Sequence, residues 1–251
     1  MTSNLSWRLG ITGTDTGVGK TVVTCALAAL ARQRGMRVAA MKPLESGIVE
    51  RQVSDTGLAS DAERLRAAAG FGASLDVVRP YVLAEPLAPM VAAERAGVSI
   101  ALDVLDSARQ TLEADAELLL VEGAGGLLVP ITRSFSYLDL FARWQCELVL
   151  VAGNRLGVLN HALLTVRVAA SAGVPVRAIV LTAMSERDTT VAEATNFDAL
   201  THLLPDTPLY RFPWVDRPDD LDALAAAAAV SGLDALLTPA GTRMSHSLSP
   251  A

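Results

Sequence analysis

The sequence predicts an α/β fold in which helices flank both faces of one mostly parallel sheet. Short apolar runs alternate along the chain with longer segments of helical periodicity, the order expected of successive β-α units. Hydrophobic residues make up 51% of the 251 residues and aromatic residues only 4%, which suits strands buried on both faces. A glycine-rich segment also joins the first predicted strand to the first predicted helix.

Six apolar runs have the length of central strands, and the segments between them have helical periodicity. The predicted strands are residues 9–12, 38–42, 118–122, 148–153, 178–182 and 209–212. The predicted helices are residues 21–33, 61–69, 100–114, 159–172, 191–204 and 221–230. Residues 43–60 and 79–99 are predicted to be long irregular connections, which in compact domains are often functional. We predict a single domain over residues 1–238 and a disordered tail over 239–251.

Charge and cysteine content exclude several classes of protein. The net charge is −6 without a basic cluster, so a nucleic-acid partner is not expected. No uncharged apolar run reaches the roughly 18 residues of a membrane span, and the N-terminal residues lack the pattern of a signal peptide. Cys25 and Cys146 lie far apart in apolar surroundings, which indicates buried thiols. We therefore expect a cytoplasmic protein without a membrane partner.

Residues 13–21, GTDTGVGKT, follow a predicted strand and open a predicted helix. This is the context in which a phosphate-binding loop functions. Gly17 and Gly19 allow the backbone to curl so that its N–H groups point inward at phosphate oxygens. Lys20 can reach the terminal phosphates, and the hydroxyl of Thr21 can bind Mg²⁺. The predicted fold is therefore that of a single-domain P-loop NTPase.

Polar residues follow or end several predicted strands, at the edge of the sheet where open α/β proteins bind ligands. Glu122 ends the third strand, where a carboxylate could hold Mg²⁺ opposite Thr21 or could lie in a surface loop. Asp61 follows Ser60 at a helix start, so it could bind metal or only cap the helix. Lys42 could be a solvated loop residue or could stabilise charge on a transferring phosphoryl group.

Seven blocks, in one order along the chain, resemble the dethiobiotin synthetase family. They are GTDTGVGKT (13–21), KPLESG (42–47), SDAERL (60–65), YVLAEPLAP (81–89), VEGAGGLLVP (121–130), LGVLNHALLT (156–165) and PWVDRPDD (213–220). The Lys-Pro-x-x-Ser-Gly and Glu-Gly-Ala-Gly-Gly blocks are the specific ones, whereas the phosphate loop is shared more widely.

The resemblance implies an ATP-dependent ligase that uses Mg²⁺ and acts as a homodimer. In the family's reaction, one amine of 7,8-diaminononanoate takes up CO₂ to form a carbamate, which attacks the γ-phosphate of ATP. The second amine then attacks the carbamoyl carbon of this mixed anhydride, so that phosphate leaves and a ureido ring closes. Small molecules are therefore the expected substrates.

The resemblance also implies roles for individual residues, with Lys20 and Lys42 in catalysis and Thr21, Asp61 and Glu122 at the metal. The implied nucleotide-binding residues are Thr16, Gly17, Val18, Gly19, Lys20, Thr21, Asp61, Glu122, Gly123, Ala124, Gly125, Thr182, Pro213, Trp214 and Val215. The implied substrate-binding residues are Thr16, Lys42, Ser46, Gly157, Val158, Leu159 and Asn160. Of these, Thr16 and Ser46 would contact the carbamate end. The 157–160 turn would bind the carboxylate of a substrate held by the other subunit, although its spacing alone favours Asn160 as an ordinary helix cap.

Two positions depart from the family pattern. Where the family commonly has Asn-Asp, with the Asn recognising adenine, this sequence has Thr182 and Ala183. Because a hydroxyl cannot reproduce the fixed donor–acceptor fork of an amide, we predict weak discrimination among nucleoside triphosphates, or discrimination by backbone groups. Asp216 and Asp219 lie near positions where the family often has Glu, which leaves the residue that contacts the ribose open.

Two other P-loop classes are alternatives. A nucleotide-switched partition-type ATPase would carry a signature lysine five residues before Lys20, where this sequence has Asp15, and would lack the 42–47 block. An amidoligase of the cobyrinate diamide synthase type usually adds a glutaminase domain. Neither Cys25 nor Cys146 lies in a turn typical of its nucleophile.

Overall fold

The computed structural model describes residues 7–48, 59–187 and 190–239. Its strands are β1 (Trp7–Gly13), β2 (Val38–Met41), β3 (Leu44–Ser46), β4 (Tyr81–Leu83), β5 (Leu118–Gly126), β6 (Pro130–Thr132), β7 (Phe135–Ser136), β8 (Glu147–Gly153), β9 (Val176–Thr182) and β10 (Leu209–Phe212). Its α-helices are α1 (Lys20–Gln33), α2 (Asp61–Ala69), α3 (Leu75–Val78), α4 (Pro89–Ala96), α5 (Leu102–Glu113), α6 (Tyr137–Arg143), α7 (Val158–Ser171), α8 (Val191–Leu203) and α9 (Leu221–Val230). A 3₁₀ helix covers Leu233–Leu236.

The main sheet contains six strands in the order β10-β9-β8-β1-β5-β2, and every neighbouring pair is parallel. The predicted α/β fold is therefore confirmed, and all six predicted strands are present with small changes at their ends. The chain moves from β1 to β2 on one side and later to β8, β9 and β10 on the other. This change of direction leaves a crevice at the carboxyl end of β1, where such sheets bind ligands.

Alternate residues of the central strands enter different cores, because successive side chains of a strand point to opposite faces. In β5, Leu118 and Leu120 pack with the apolar residues of α1, α2 and α9. Leu119 and Val121 face the other way and pack with α5 and α6. All four side chains are fully buried. The sheet is thus covered by helices on both faces, as its continuous apolar runs predict.

The prediction of irregular structure over 43–60 and 79–99 was wrong in part. Residues 44–46 and 81–83 form β3 and β4, which pair in parallel as a separate two-stranded sheet. The helix α4 begins at Pro89, a residue well suited to the first turn of a helix. These elements are too short for hydrophobic periodicity to reveal them.

Some expectations concern segments that the structure does not describe. Residues 49–58 of the first predicted connection and 240–251 of the predicted tail lie outside the described residues. Among the helices within 7–48, 59–187 and 190–239, none is both long enough and apolar enough to cross a membrane.

Candidate active site

The phosphate loop runs from the end of β1 to the start of α1. Gly17 and Gly19 have φ angles of 73° and 89°, in the left-handed region that favours glycine. Gly19 caps the amino end of α1 without a side-chain hydrogen bond. The first N–H groups of α1 therefore have no side-chain cap and can bind an anion, which the helix dipole also favours.

Lys20 is held inside this loop. Its Nζ donates to the carbonyl oxygen of Asp15 at 2.8 Å, and the residue is only 7% exposed. Burial lowers the pKa of Lys20 to about 8, because desolvation disfavours the ammonium form. A triphosphate bound in the loop would supply the anion that favours the protonated side chain.

Glu122 is the most completely buried acid of the site, with no exposed surface. Its Oε1 accepts from Thr21 Oγ1 at 2.9 Å and from Lys42 Nζ at 2.6 Å. Its Oε2 accepts from Thr24 Oγ1 at 2.7 Å. The parallel register of β1 and β5, with Ile11 opposite Glu122, brings this carboxylate close to α1. Three donors thus converge on one carboxylate in the interior.

Lys42 follows β2 and joins two acids. Besides Glu122, its Nζ contacts Asp61 Oδ2 at 2.9 Å, and Lys42 is 4% exposed. Burial alone would lower the pKa of Lys42, but the carboxylates of Glu122 and Asp61 outweigh it and raise the pKa above the ordinary value. Lys42 is therefore charged in the folded protein.

The structure decides between the alternatives that the sequence left open. Lys42 is not a solvated loop residue, and Glu122 does not lie in a surface loop, because both are buried. Strand β5 continues past Glu122 to Gly126. Ser60, in a capping box with Glu63, caps α2, so the carboxylate of Asp61 is directed at Lys42 instead.

Thr182 ends β9 and lies against the phosphate loop. Its Oγ1 donates to the carbonyl oxygen of Val18 at 2.8 Å and approaches that of Ala152 at 3.2 Å. Thr182 is 4% exposed. Its hydroxyl is thus engaged with the protein backbone.

The 157–160 turn differs from the simple Asn cap that its spacing favours. Gly157, with φ 96°, is the N-cap of α7, and no side chain caps this helix. Asn160 is the third residue of the helix and is exposed. The spacing misplaced the cap by three residues, because Gly157 adopts the left-handed conformation that starts α7. The N–H groups of this helix start have no side-chain cap.

The remaining predicted residues are distributed around the same edge. Thr16 lies beside Gly125, since a Cβ on Gly125 would be 3.6 Å from Thr16 Oγ1. Ser46 ends β3 and is partly buried. Gly123 and Ala124 follow Glu122 in β5. The predicted residues after β10 lie farther away, because β10 is the outermost strand of the sheet, three strands from β1. Of these residues, Pro213 and Trp214 are exposed and Val215 is partly buried.

Sequence reasoning missed Thr24 and the ion pair between Asp15 and Arg155. Thr24 lies one helical turn after Thr21 on the same face of α1. This spacing could have indicated that both hydroxyls donate to one acceptor, which is Glu122. Asp15 Oδ2 and Arg155 Nη2 are 2.7 Å apart and connect the phosphate loop to the segment after β8. No sequence spacing indicates that contact.

The donor set near Thr21 suits a hard divalent cation. Thr21, Asp61 and Glu122 offer one hydroxyl and two carboxylates, and Mg²⁺ is commonly bound by one or two carboxylates together with phosphate oxygens and water. In the described part of the chain, no group of three or more His, Cys, Asp or Glu side chains could hold a metal by itself. Phosphate oxygens would therefore have to complete a site here.

The chain is similar in sequence to several known proteins. A family model described as an AAA domain matches residues 8–219. The ATP-dependent dethiobiotin synthetase BioD of Anaeromyxobacter dehalogenans (strain 2CP-C) is 41% identical over 84% of this chain and 91% of that protein. The protein of the same name from Anaeromyxobacter sp. (strain Fw109-5) is 44% identical over 72% of this chain and 78% of its own. The ATP-dependent dethiobiotin synthetase BioD 1 of Escherichia coli O157:H7 is 36% identical over 86% and 95%.

The buried charges predict a large loss of stability in Lys42→Met. Without the ammonium group, Glu122 loses the cation that it contacts at 2.6 Å, and removing one partner of a buried ion pair typically costs about 3–5 kcal/mol. Urea unfolding of Lys42→Met, Glu122→Gln and the double variant measures the coupling. We expect the double variant to be more stable than the sum of the two single losses predicts. Simple additivity would show that the two side chains do not stabilise each other.

Proposed function

This chain belongs to the family of ATP-dependent dethiobiotin synthetases, and we propose that it closes the ureido ring of dethiobiotin where the phosphate loop meets Lys42 and Glu122. It is an ATP-dependent ligase that acts on small molecules. The observation that carries the placement of the reaction is the convergence of Lys42, Thr21 and Thr24 on the buried Glu122, beside a loop with uncapped N–H groups.

Phosphoryl transfer from ATP to a carbamate depends on positioning and on charge neutralisation more than on covalent help. In our proposal the N–H groups of residues 17–21 and the Lys20 side chain hold the phosphates. Lys42 lies at the same edge and stabilises the charge that develops as the carbamate attacks. Thr16 and Ser46 contact the carbamate end of the diamine. Gly123, Ala124 and Gly125 let the backbone approach the nucleotide.

We propose that Mg²⁺ binds through Thr21, Asp61 and Glu122. The support is that three hard oxygen donors lie close together: Thr21 donates to Glu122, and Glu122 and Asp61 both contact Lys42 Nζ. When bound, the cation would neutralise charge on the phosphate oxygens. Thr21 and Glu122 are already hydrogen-bonded to one another, so the protein holds two of the three groups together.

We also propose a homodimer with shared active sites. Two large apolar side chains are exposed on α7 or just before it: Leu156 is 87% exposed and Leu164 is 54% exposed. Exposed apolar side chains of this kind favour association. The helix start at Gly157, Val158, Leu159 and Asn160 favours a carboxylate by charge and by hydrogen bonds, and we assign it to a substrate held by the other subunit.

Other assignments follow from the family. A nucleotide-switched partition-type ATPase is not favoured, because relatives over most of the chain carry the dethiobiotin synthetase name. We propose that residues 1–238 form one domain and that the enzyme works in the cytoplasm, as the two free, buried cysteines support. We propose that Pro213, Trp214 and Val215 line the nucleoside end of the site.

The reaction itself can be tested with 7,8-diaminononanoate, bicarbonate, Mg²⁺ and each nucleoside triphosphate in turn. We expect dethiobiotin, detected by mass spectrometry, together with one phosphate released per product. Lys42→Gln should lower turnover by roughly 10²–10³, the usual loss of one preorganised donor. Arg37→Gln is the control, because it also removes a cation but lies at the amino end of β2, away from the site. If Lys42→Gln turns over at the wild-type rate, Lys42 does not stabilise the charge that develops during the reaction.

The metal assignment predicts a changed Mg²⁺ requirement in Asp61→Asn. A neutral amide is a poorer ligand for a hard cation, so the half-saturating Mg²⁺ concentration should rise by roughly tenfold, equivalent to about 1.4 kcal/mol. Asp103→Asn, on the exposed start of α5, is the matched control. Titration curves of Asp61→Asn and the parent that overlay would show that Asp61 is not a ligand.

The shared site predicts complementation between subunits. Asn160→Ala should raise the KM for the diamine while nucleotide binding is unchanged. A heterodimer of Lys42→Gln and Asn160→Ala subunits would have one doubly altered site and one intact site. After subunit exchange of an equal mixture, activity measured at a diamine concentration far below the KM of Asn160→Ala should therefore return to about a quarter of the wild-type value. If heterodimers form and no activity returns, each subunit binds its own substrate carboxylate.

A further inference from the structure

Thr182 contacts the phosphate loop across an intervening strand. It ends β9, which is separated from β1 by β8 in the sheet. Its side chain nevertheless reaches the loop that follows β1, because the loop turns back over the carboxyl ends of the strands. A Cβ on Gly19 would lie only 3.4 Å from Thr182 Cγ2. The threonine hydroxyl therefore bonds to the loop, and its methyl group lies beside Gly19.

The hydroxyl has one proton and two carbonyl neighbours. The contact with Val18 O, at 2.8 Å, has the length of a good O–H···O hydrogen bond, whereas that with Ala152 O is 3.2 Å. Ala152 also belongs to strand β8, so its carbonyl orientation is already set by the sheet. Val18 lies in the loop between β1 and α1, where no strand ladder orients the peptide.

The bond to Val18 controls the orientation of a phosphate-binding group. A trans peptide is planar, so its C=O and N–H point in opposite directions. The peptide that carries Val18 O also carries the N–H of Gly19. Holding the carbonyl toward β9 therefore directs the Gly19 N–H away from β9 and into the loop.

We propose that Thr182 is a positioning residue that presets this loop for the triphosphate. Preset donors bind an anion more tightly, because they need no reorientation when it arrives. The inference rests on the proposed function only in taking the loop as the phosphate site. Since the hydroxyl is buried and bonded to backbone, Thr182 acts through the phosphates and makes no contact with the base.

The experiment compares ATP, CTP and inorganic tripolyphosphate, which has neither base nor sugar. Calorimetry without the diamine gives a Kd for each ligand with the wild type and with the variants Thr182→Val and Thr182→Ser. The control variant is Thr111→Val, which removes an exposed hydroxyl from α5. Valine keeps the shape and loses the donor, whereas serine keeps the donor. Thr182→Val should raise the Kd of all three ligands by the same factor, roughly three- to tenfold, as expected for the loss of one hydrogen bond. Thr182→Ser should stay within about twofold of the wild type.

Two results would overturn the inference. Weakened ATP binding with unchanged tripolyphosphate binding would mean that Thr182 contacts the nucleoside. Wild-type binding by the valine variant with weakened binding by the serine variant would mean that the methyl group, through packing, is what matters. If Thr182→Val does not fold, Thr182→Ala replaces it in the same comparison with serine. Because these are binding measurements, absence of dethiobiotin formation by the wild type would refute the proposed reaction and leave this test unaffected.

Discussion

A carboxylate without access to water must be balanced by its neighbours, and this constraint on Glu122 organises the candidate active site. An uncompensated charge in the interior is expensive. The compensation comes from three side chains: Thr21 and Thr24 on α1, and Lys42 after β2. Lys42 in turn contacts Asp61 at the start of α2. One buried charge thereby fixes the relative positions of the phosphate loop, two strands and a helix.

Much of the fold could be predicted because central parallel strands are continuous apolar runs. The site was predictable to the extent that it depends on strand ends, because the carboxyl ends of parallel strands meet at one edge of the sheet. That the strands carrying Lys42 and Glu122 are direct neighbours was seen only in the structure. Their burial did not follow, since a charged residue at a strand end is usually solvated. Asp61 could not be separated from a helix cap until Ser60 was seen to fill that role.

Other features depend on tertiary contacts that have no local pattern. Thr24 lies in an alanine-rich helix, where a threonine has no distinguishing periodicity. The bond between Thr182 and Val18 joins residues 164 positions apart and passes over β8. The three-residue strands β3 and β4 are shorter than the window in which alternation can be recognised. In each case the deciding information is the arrangement of distant segments.

The strand order has a consequence for the way this chain assembles during synthesis. Strand β5 lies between β1 and β2, although it follows both of them by more than 70 residues. A growing chain therefore cannot complete its central sheet by adding strands in sequence, and the gap between β1 and β2 must be filled from the middle of the polypeptide. The filling strand carries Glu122, so Lys42 acquires its buried partner only at that step. Closing such long loops is slow, so nucleotide-binding competence should wait for β5 and should not arise when the phosphate loop itself is made.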